Sequence, residues 1–520
     1  MTASRAAWRG LAIALGFGFV ALNWGLDRRV IYPFTSDSAA YVDMARSFSE
    51  DGTLTAVPYG VEPTEVVRLP VRTWPPLYSM VVAGVHATGV PVATAAAWTN
   101  RVAAALIPLL LVVLFEGLAA PGALLLVGVL VLSAPGVRTN HFMALSDCLC
   151  LFFTLLAVGL ALRRKSLKAV FASGLAAGCA YAVRNPGLAV LLAVPAWFAL
   201  LAFVSAEPRR AQLRTAMVWG IGALCIVTPL LVYNATVFGS FQPYSAQAPT
   251  VGLWVNVTAL TGAIVGELAG AYFADKVSSH LWSLGIAGVV GALSLLAIAR
   301  TLRAAPDARV RATTLLLIFA ACGGGLVIAA SIRFGGVETG SHRQAMQYTW
   351  ALLLLCGILF DRQATGRAWP VVCAAALLLL VFRTYDFAKR VTLRAHVPDH
   401  TLAIVADTQL RSAIRSRNAA GAFWVSNTPW VFRVEDDVSV RQLIGCNFER
   451  DQLRELEALH SRGRTVLFVL TNGGSDAECL DRWSVLMEQS SFRRVTTFHA
   501  GIIVSAGAPD AHALRPDGLP

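Results

Sequence analysis

Apolar runs of about twenty residues, each long enough to cross a bilayer, recur along most of this chain. They fall at 10–27, 96–118, 121–137, 142–162, 168–184, 187–205, 215–237, 281–299, 312–332, 344–361 and 368–384. This pattern predicts a polytopic helical membrane domain of eleven transmembrane helices over residues 1–384. The run at 77–90, LYSMVVAGVHATGV, is too short to span and is expected to lie in the interface or to re-enter. From about residue 385 the apolar runs shorten and charge appears. AFWVSN, VSVRQLI, RTVLFVLT and GIIVSA alternate as strands, and 400–417, 448–462 and 477–490 carry helical periodicity. Alternation of this kind predicts a small α/β domain over 385–520.

The basic residues fix the orientation. Arg5 and Arg9 precede the first run, and Arg163, Arg164, Lys165 and Lys168 follow the fourth. Arg209, Arg210 and Arg214 follow the sixth, Arg300, Arg303, Arg309 and Arg311 the eighth, and Arg362 and Arg367 the tenth. All share the side of the N-terminus, which the positive-inside rule makes the cytoplasm. The expected external segments are then 28–95, 138–141, 185–186, 238–280, 333–343 and the tail. Each of the first five holds or adjoins a polar residue: Asp37, His141 with Asp147, Arg184 with Asn185, Glu267 with Asp275, and His342 with Arg343. Ionisable groups that gather at one membrane face mark a functional site. The aromatic and glycine content of 238–280 suits a flexible cover.

Composition agrees. Of 520 residues, 56% are hydrophobic and only 14% charged, against about a quarter charged in soluble proteins. The net charge of +12 is spread in short clusters between apolar runs, so it speaks for membrane topology and not for nucleic acid. Seven of the nine cysteines lie in apolar runs; Cys446 and Cys479 lie in the polar tail. Those two would pair in an oxidising compartment or stand as separate thiols, and spacing leaves both open. Alanine richness and arginine in place of lysine point to a GC-rich bacterial genome.

The candidate chemistry centres on the polar segment from Tyr32 to Tyr78. Asp37 heads a short amphipathic helix expected over 38–50, lying along the membrane surface with Ala39, Val42, Ala45 and Phe48 on one side. Asp43 and Glu50 read as its solvated face, and Asp37 itself reads as a helix cap or as an acid at the water–lipid boundary. Glu62 and Glu65 read as loop solvation ahead of acceptor or metal binding, His141 as an interfacial residue, and Trp74 and Tyr78 as headgroup anchors ahead of stacking on a sugar. Arg184 and Arg343 are external by parity, against the positive-inside trend. Each serves as an interface anchor or as a cation for a phosphate. No ligand spacing for a divalent metal is present, and no cofactor is indicated.

Taken together, these residues resemble a family. An Asp after the first span, the pattern D-x-x-x-Y-x-x-x-A-R-x-x-x-x-x-G (Asp37, Tyr41, Ala45, Arg46, Gly52) and a later Pro75-Pro76-Leu77-Tyr78 resemble the GT-C superfamily of membrane glycosyltransferases. The protein O-mannosyltransferase-like enzymes and lipid A aminoarabinose transferases are nearest in style. Asp147, Arg184 with Pro186, and Arg343 with Tyr348 continue the likeness in patches over about 30–350. The chain departs from the pattern where Ser36 and Ser38 flank Asp37 and where Trp74 precedes the prolines. The resemblance implies transfer of a sugar from a polyprenyl-phosphate donor to a glycan, lipid or protein hydroxyl at the outer face, with inversion. It implies Asp37 as base, Arg184, Arg343 and His342 at the donor phosphate, and Asp147, Tyr41, Arg46, Trp74, Tyr78 and Tyr348 in support. A bacterial inner-membrane enzyme with an exoplasmic tail is the expectation; a transporter or flippase of a lipid-linked glycan is the alternative, and a scaffold that binds a partner the third reading.

Overall fold

The fold is that of a computed structural model. It describes residues 4–28, 32–57, 68–164, 166–204, 208–243, 252–269, 308–334, 342–361, 369–396, 400–418, 422–426, 428–436, 438, 440–442, 456–458, 461–462, 465–471, 492–497 and 501–506. Expectations for 281–299, Glu62, Glu65, Asp275, Cys446 and Cys479 fall outside these residues.

In chain order, the N-terminal part forms α1 (Arg5–Asp27), α2 (Ser36–Asp51), β1 (Thr55–Ala56), β2 (Leu69–Pro70) and α3 (Leu77–His86). Helices α4 (Val92–Ala105), α5 (Ile107–Leu114), α6 (Pro121–Ser133), α7 (Pro135–Phe142), α8 (Asp147–Arg163) and α9 (Leu167–Val183) follow. A 3-10 turn at Asn185–Gly187 leads to α10 (Leu188–Val204), α11 (Arg209–Phe238), α12 (Leu253–Ala269), α13 (Ala308–Phe334), α14 (His342–Asp361) and α15 (Trp369–His396). The remainder is α16 (His400–Ala406), α17 (Thr408–Asn418), β3 (Phe423–Ser426), α18 (Pro429–Glu435), β4 (Val440–Gln442), β5 (Val466–Thr471), β6 (Phe492–Thr497) and β7 (Gly501–Ala506).

Two compact units emerge. The first holds residues 1–25, 72–78 and 97–390; the second holds 26–71, 79–96 and 391–520. In the first, α8, α9 and α11 pack side by side, with α10 against α13 and α13 against α14. Gly174 and Gly222 let α9 and α11 approach closely, since a methyl group at either would collide with the facing backbone. Helix α11 leaves Leu213, Met217, Ile221 and Leu224 exposed at helical spacing, a stripe suited to lipid. Five described helical stretches, 5–26, 92–114, 185–203, 209–238 and 308–332, are long and apolar enough to cross a membrane.

The expected boundary at 137–142 is corrected. Pro135 cannot donate a backbone hydrogen bond and breaks the run. Helices α6 and α7 meet at a 65° bend, the form of a broken span or of a re-entrant loop. Residues 138–141 are therefore helical, and His141 is fully buried, its ring 5.6 Å from that of Phe19, rather than interfacial. Within 238–280, residues 253–269 are no flexible cover but helix α12, packed on α14, α13 and α7, while 244–251 and 270–280 lie outside the described residues.

In the second unit, β4, β3 and β5 run parallel, β7 pairs antiparallel with β5, and β6 with β7. All four residues of β3 are buried, as a strand covered on both faces requires. Helix α2 packs against α18 and β1. Residues 38–45 are all buried, so α2 is not the surface helix its sequence suggested. The reason is a partner far along the chain: Asp43, 3% exposed, pairs with the Arg433 guanidinium.

Candidate active site

Asp147 lies at the first position of α8 with no exposed surface. A buried carboxylate needs partners. Its Oδ1 meets the Arg184 guanidinium, its Oδ2 accepts from Arg343 Nε at 3.0 Å, and its carbonyl accepts from Gln347 Nε2 at 3.2 Å. Arg184 is placed by the sequence that follows it. Helix α9 ends there in extended backbone because Pro186 opens the next turn. Arg343 and Gln347 lie one helical turn apart on α14, so both face Asp147.

The start of α8 is fixed by a residue the sequence reading passed over. Asn100, on α4, accepts from the backbone N–H groups of Cys148 (2.9 Å) and Leu149 (3.3 Å). It thereby satisfies two donors that a helix N-terminus leaves open. Its amide donates back to the carbonyls of Asn140 and Met143. An asparagine inside an apolar run was the available signal.

Beside this cluster lies a mainly apolar cavity of about 510 Å³. Arg184, Trp74, Gln344 and Tyr348 line it, with Leu326 and Val327 on the α13 side. Tyr348 is 2% exposed, and its hydroxyl has no hydrogen-bond partner among the described residues. Gly323 on α13 makes room for the ring, because a Cβ there would overlap it. Tyr78 is fully buried and so does not anchor in the headgroup layer.

His342 turns elsewhere. Its Nδ1 lies 2.8 Å from Oε1 of Glu267, a fully buried carboxylate on α12. The same oxygen accepts from the Gly136 N–H at 2.6 Å. Arg383, on α15, donates to the Leu130 carbonyl, to Ser133 Oγ at 2.9 Å and to the Glu267 carbonyl at 2.6 Å. Glu267 and Arg383 thus supply partners for groups that the α6–α7 break leaves unpaired, and His342 braces Glu267. Among the described residues, no three His, Cys, Asp or Glu side chains gather as a metal set.

In the second unit, Thr35 caps α2 by accepting from the Ser38 N–H, which leaves Asp37 half-buried in the first turn and not at the cap. Tyr41 is buried, its carbonyl taking a 3.0 Å hydrogen bond from Ser79 Oγ, and Arg46 is half-buried. The structure thus brings Asp147, Arg184 and Arg343 into contact and puts Arg184, Trp74 and Tyr348 on one cavity. Asp37, Tyr41 and Arg46 belong to the other unit.

No protein-family profile matches the chain, and no curated protein matches it in sequence. Solved structures match its fold. ArnT from Cupriavidus metallidurans bound to undecaprenyl phosphate superposes with a TM-score of 0.52 at 14% identity, over 97% of this chain and 99% of that one. The apo state of ArnT gives 0.53 at 14% identity over the same shares. The archaeal oligosaccharyltransferase AglB from Archaeoglobus fulgidus, in complex with an inhibitory peptide and a dolichol-phosphate, gives 0.54 at 11% identity, over 99% of this chain and 75% of that one. With its apolar spans and these neighbours, the chain is a multi-pass membrane protein that has the GT-C fold.

Proposed function

We propose that this protein is a membrane glycosyltransferase that moves a sugar from a polyprenyl-phosphate donor to an acceptor hydroxyl at the outer membrane face. The observation that carries this reading is the pair of arginines, Arg184 and Arg343, held on one buried carboxylate, with Arg184 on the wall of a largely apolar cavity. Two guanidinium charges against one carboxylate leave a net positive charge, which suits a phosphate monoester or diester. The apolar wall suits the first isoprene units. The GT-C fold, shared with an undecaprenyl-phosphate-bound and a dolichol-phosphate-bound protein, supports the same ligand class.

In this reading the acceptor oxygen attacks the anomeric carbon as the bond from that carbon to the phosphate oxygen breaks. The electron pair leaves with the phosphate, whose growing charge Arg184 and Arg343 stabilise. His342, the third expected phosphate ligand, is instead read as the partner of Glu267. Asp37 takes the acceptor proton as general base, and the anomeric configuration inverts. Tyr348 and Trp74 line the donor cavity; Tyr41 and Arg46 hold the Asp37 helix. The N-terminus is cytoplasmic and the 385–520 tail exoplasmic in a bacterial inner membrane.

A second reading has one observation behind it. A broken span with buried Glu267 and Arg383 at the break is the kind of device that transporters use. One experiment separates the two. Purified protein in lipid nanodiscs is given labelled polyprenyl-phosphate sugars and acceptor extract, and polyprenyl-phosphate release is followed for wild type and Asp37→Asn. Release lost in the variant with donor binding retained supports the transferase and its base. Equal release removes Asp37 from the base role. No release from any donor favours the transporter.

A further inference from the structure

We infer that the C-terminal part of the chain orients the catalytic loop: Arg433, with Glu435, is a positioning residue that sets the direction of Asp37 by clamping α2 at two points. The inference rests on the proposed role of Asp37 and deepens it.

The first point is Asp43. It takes a hydrogen bond from Arg433 Nη2, and the same nitrogen donates to the Val57 carbonyl at 2.9 Å. Arg433 therefore ties α2 to the strand that follows it. Both side chains of the pair are buried, at 2% and 5% exposed. The second point precedes the helix: Tyr32 Oη donates to Glu435 Oε1 at 3.0 Å. Asp37 lies between these two anchors in sequence. Asp43 stands six residues beyond it, which is about 120° around the helix and about 9 Å along it. The clamp thus grips a face of α2 that Asp37 does not share.

The clamp is itself braced. Arg411, on α17, donates through Nε to both oxygens of Asp436 at 3.0 and 3.1 Å and through Nη2 at 2.8 Å. Asp436 ends the seven-residue helix α18 that carries Arg433 and Glu435. A buried ion pair is a weak source of stability but a strong source of geometry, since its hydrogen bonds are satisfied in one arrangement. The pair also serves the Val57 carbonyl and N–H, which an apolar pair of the same size would leave unpaired, so the arrangement fixes α2 against the segment after β1 in one register. A reacting carboxylate does require a fixed direction, and misplacement by about 1 Å costs about a hundredfold in rate.

The test uses the full chain in nanodiscs, with initial rates of polyprenyl-phosphate release. Arg433→Met keeps the stem and removes the fork; Arg433→Lys keeps the charge and one donor direction. We expect Arg433→Met to lower kcat by about tenfold or more with the donor KM within about twofold of wild type, and Arg433→Lys to recover part of the loss. A kcat equal to wild type overturns the inference, and so does a donor KM that rises in step with the fall. Should Arg433→Met fail to fold, Tyr32→Phe carries the test: a lowered kcat at unchanged KM supports the clamp, and an unchanged kcat overturns it. Should Asp37→Asn turn over like wild type, the base assignment fails and the inference with it. An inactive Asp37→Asn beside a fully active Arg433→Met sinks the inference alone.

Discussion

Asp147→Asn isolates the charge that holds the two arginines, because asparagine preserves shape and one acceptor oxygen. At an effective dielectric of about 20, each guanidinium–carboxylate attraction at about 4 Å is worth about 4 kcal/mol. Desolvation of the buried carboxylate offsets several kcal/mol of that sum, and removing one partner of a fully buried pair costs about 3–5 kcal/mol net. Here Arg184 and Arg343 keep 13% and 27% of their side-chain surface in solvent. Water recovers part of the loss, so about 2–3 kcal/mol is expected. The variant also removes the negative charge that separates two like charges. A phosphate that enters this gap replaces the missing anion. Polyprenyl phosphate should therefore stabilise Asp147→Asn more than it stabilises wild type, while turnover falls because the product leaves slowly. Detergent-titrated unfolding followed by tryptophan fluorescence, with and without undecaprenyl phosphate, reads both quantities. A variant within about 0.5 kcal/mol of wild type, with equal stabilisation by the lipid phosphate, would refute the charge-bridge account.

Two further outcomes follow from geometry and charge. Gly323→Ala places a methyl group where the Tyr348 ring lies; the ring must swing toward the cavity, at about 1–3 kcal/mol of overpacking, and the donor KM should rise severalfold in initial-rate kinetics, whereas an unchanged KM would place the donor elsewhere. Burial and the Glu435 carboxylate raise the Tyr32 phenol above its ordinary value, so its contribution is fully present below the unfolded value near 10 and declines as pH rises beyond it toward the folded one; Tyr32→Phe should lose this alkaline component of unfolding, and parallel pH curves for the two proteins would count against the Tyr32–Glu435 bond.

The apolar runs show where the sequence was legible and where it was not. Period and length located α8, α9, α10, α11, α13 and α14 to within a few residues, because lipid-facing and core helices share one apolar code. Four short β runs coincide with β3, β4, β5 and β7. Strand β6, FRRVTT, was missed because its arginines hide the alternation. The span break was readable only as Pro135, a single residue that length-based parsing overrides. Asp147, Arg184 and Arg343 were each legible as ionisable groups near one membrane face. Their mutual contact was not, since the pairs are 37 and 196 residues apart in sequence. Asp43 shows the deeper limit. On α2 alone it belongs to a polar face, and only Arg433, 390 residues later, converts it into a buried residue.

The α6–α7 break has a further consequence, for how the chain is made. Bending a helix inside a bilayer frees backbone groups that lipid cannot satisfy. The Gly136 N–H finds its acceptor 131 residues later, on Glu267, and the Leu130 carbonyl finds Arg383 253 residues later. At about 5–20 residues per second of synthesis, that second partner emerges roughly 13–50 s after the break has been threaded into the membrane. Until then the segment 121–142 has no native company for its open groups. Pro135 breaks the helix from the start, so what comes late is the pairing of the freed groups, and truncation before residue 383 should leave the N-terminal spans inserted with the Leu130 carbonyl lacking its Arg383 partner.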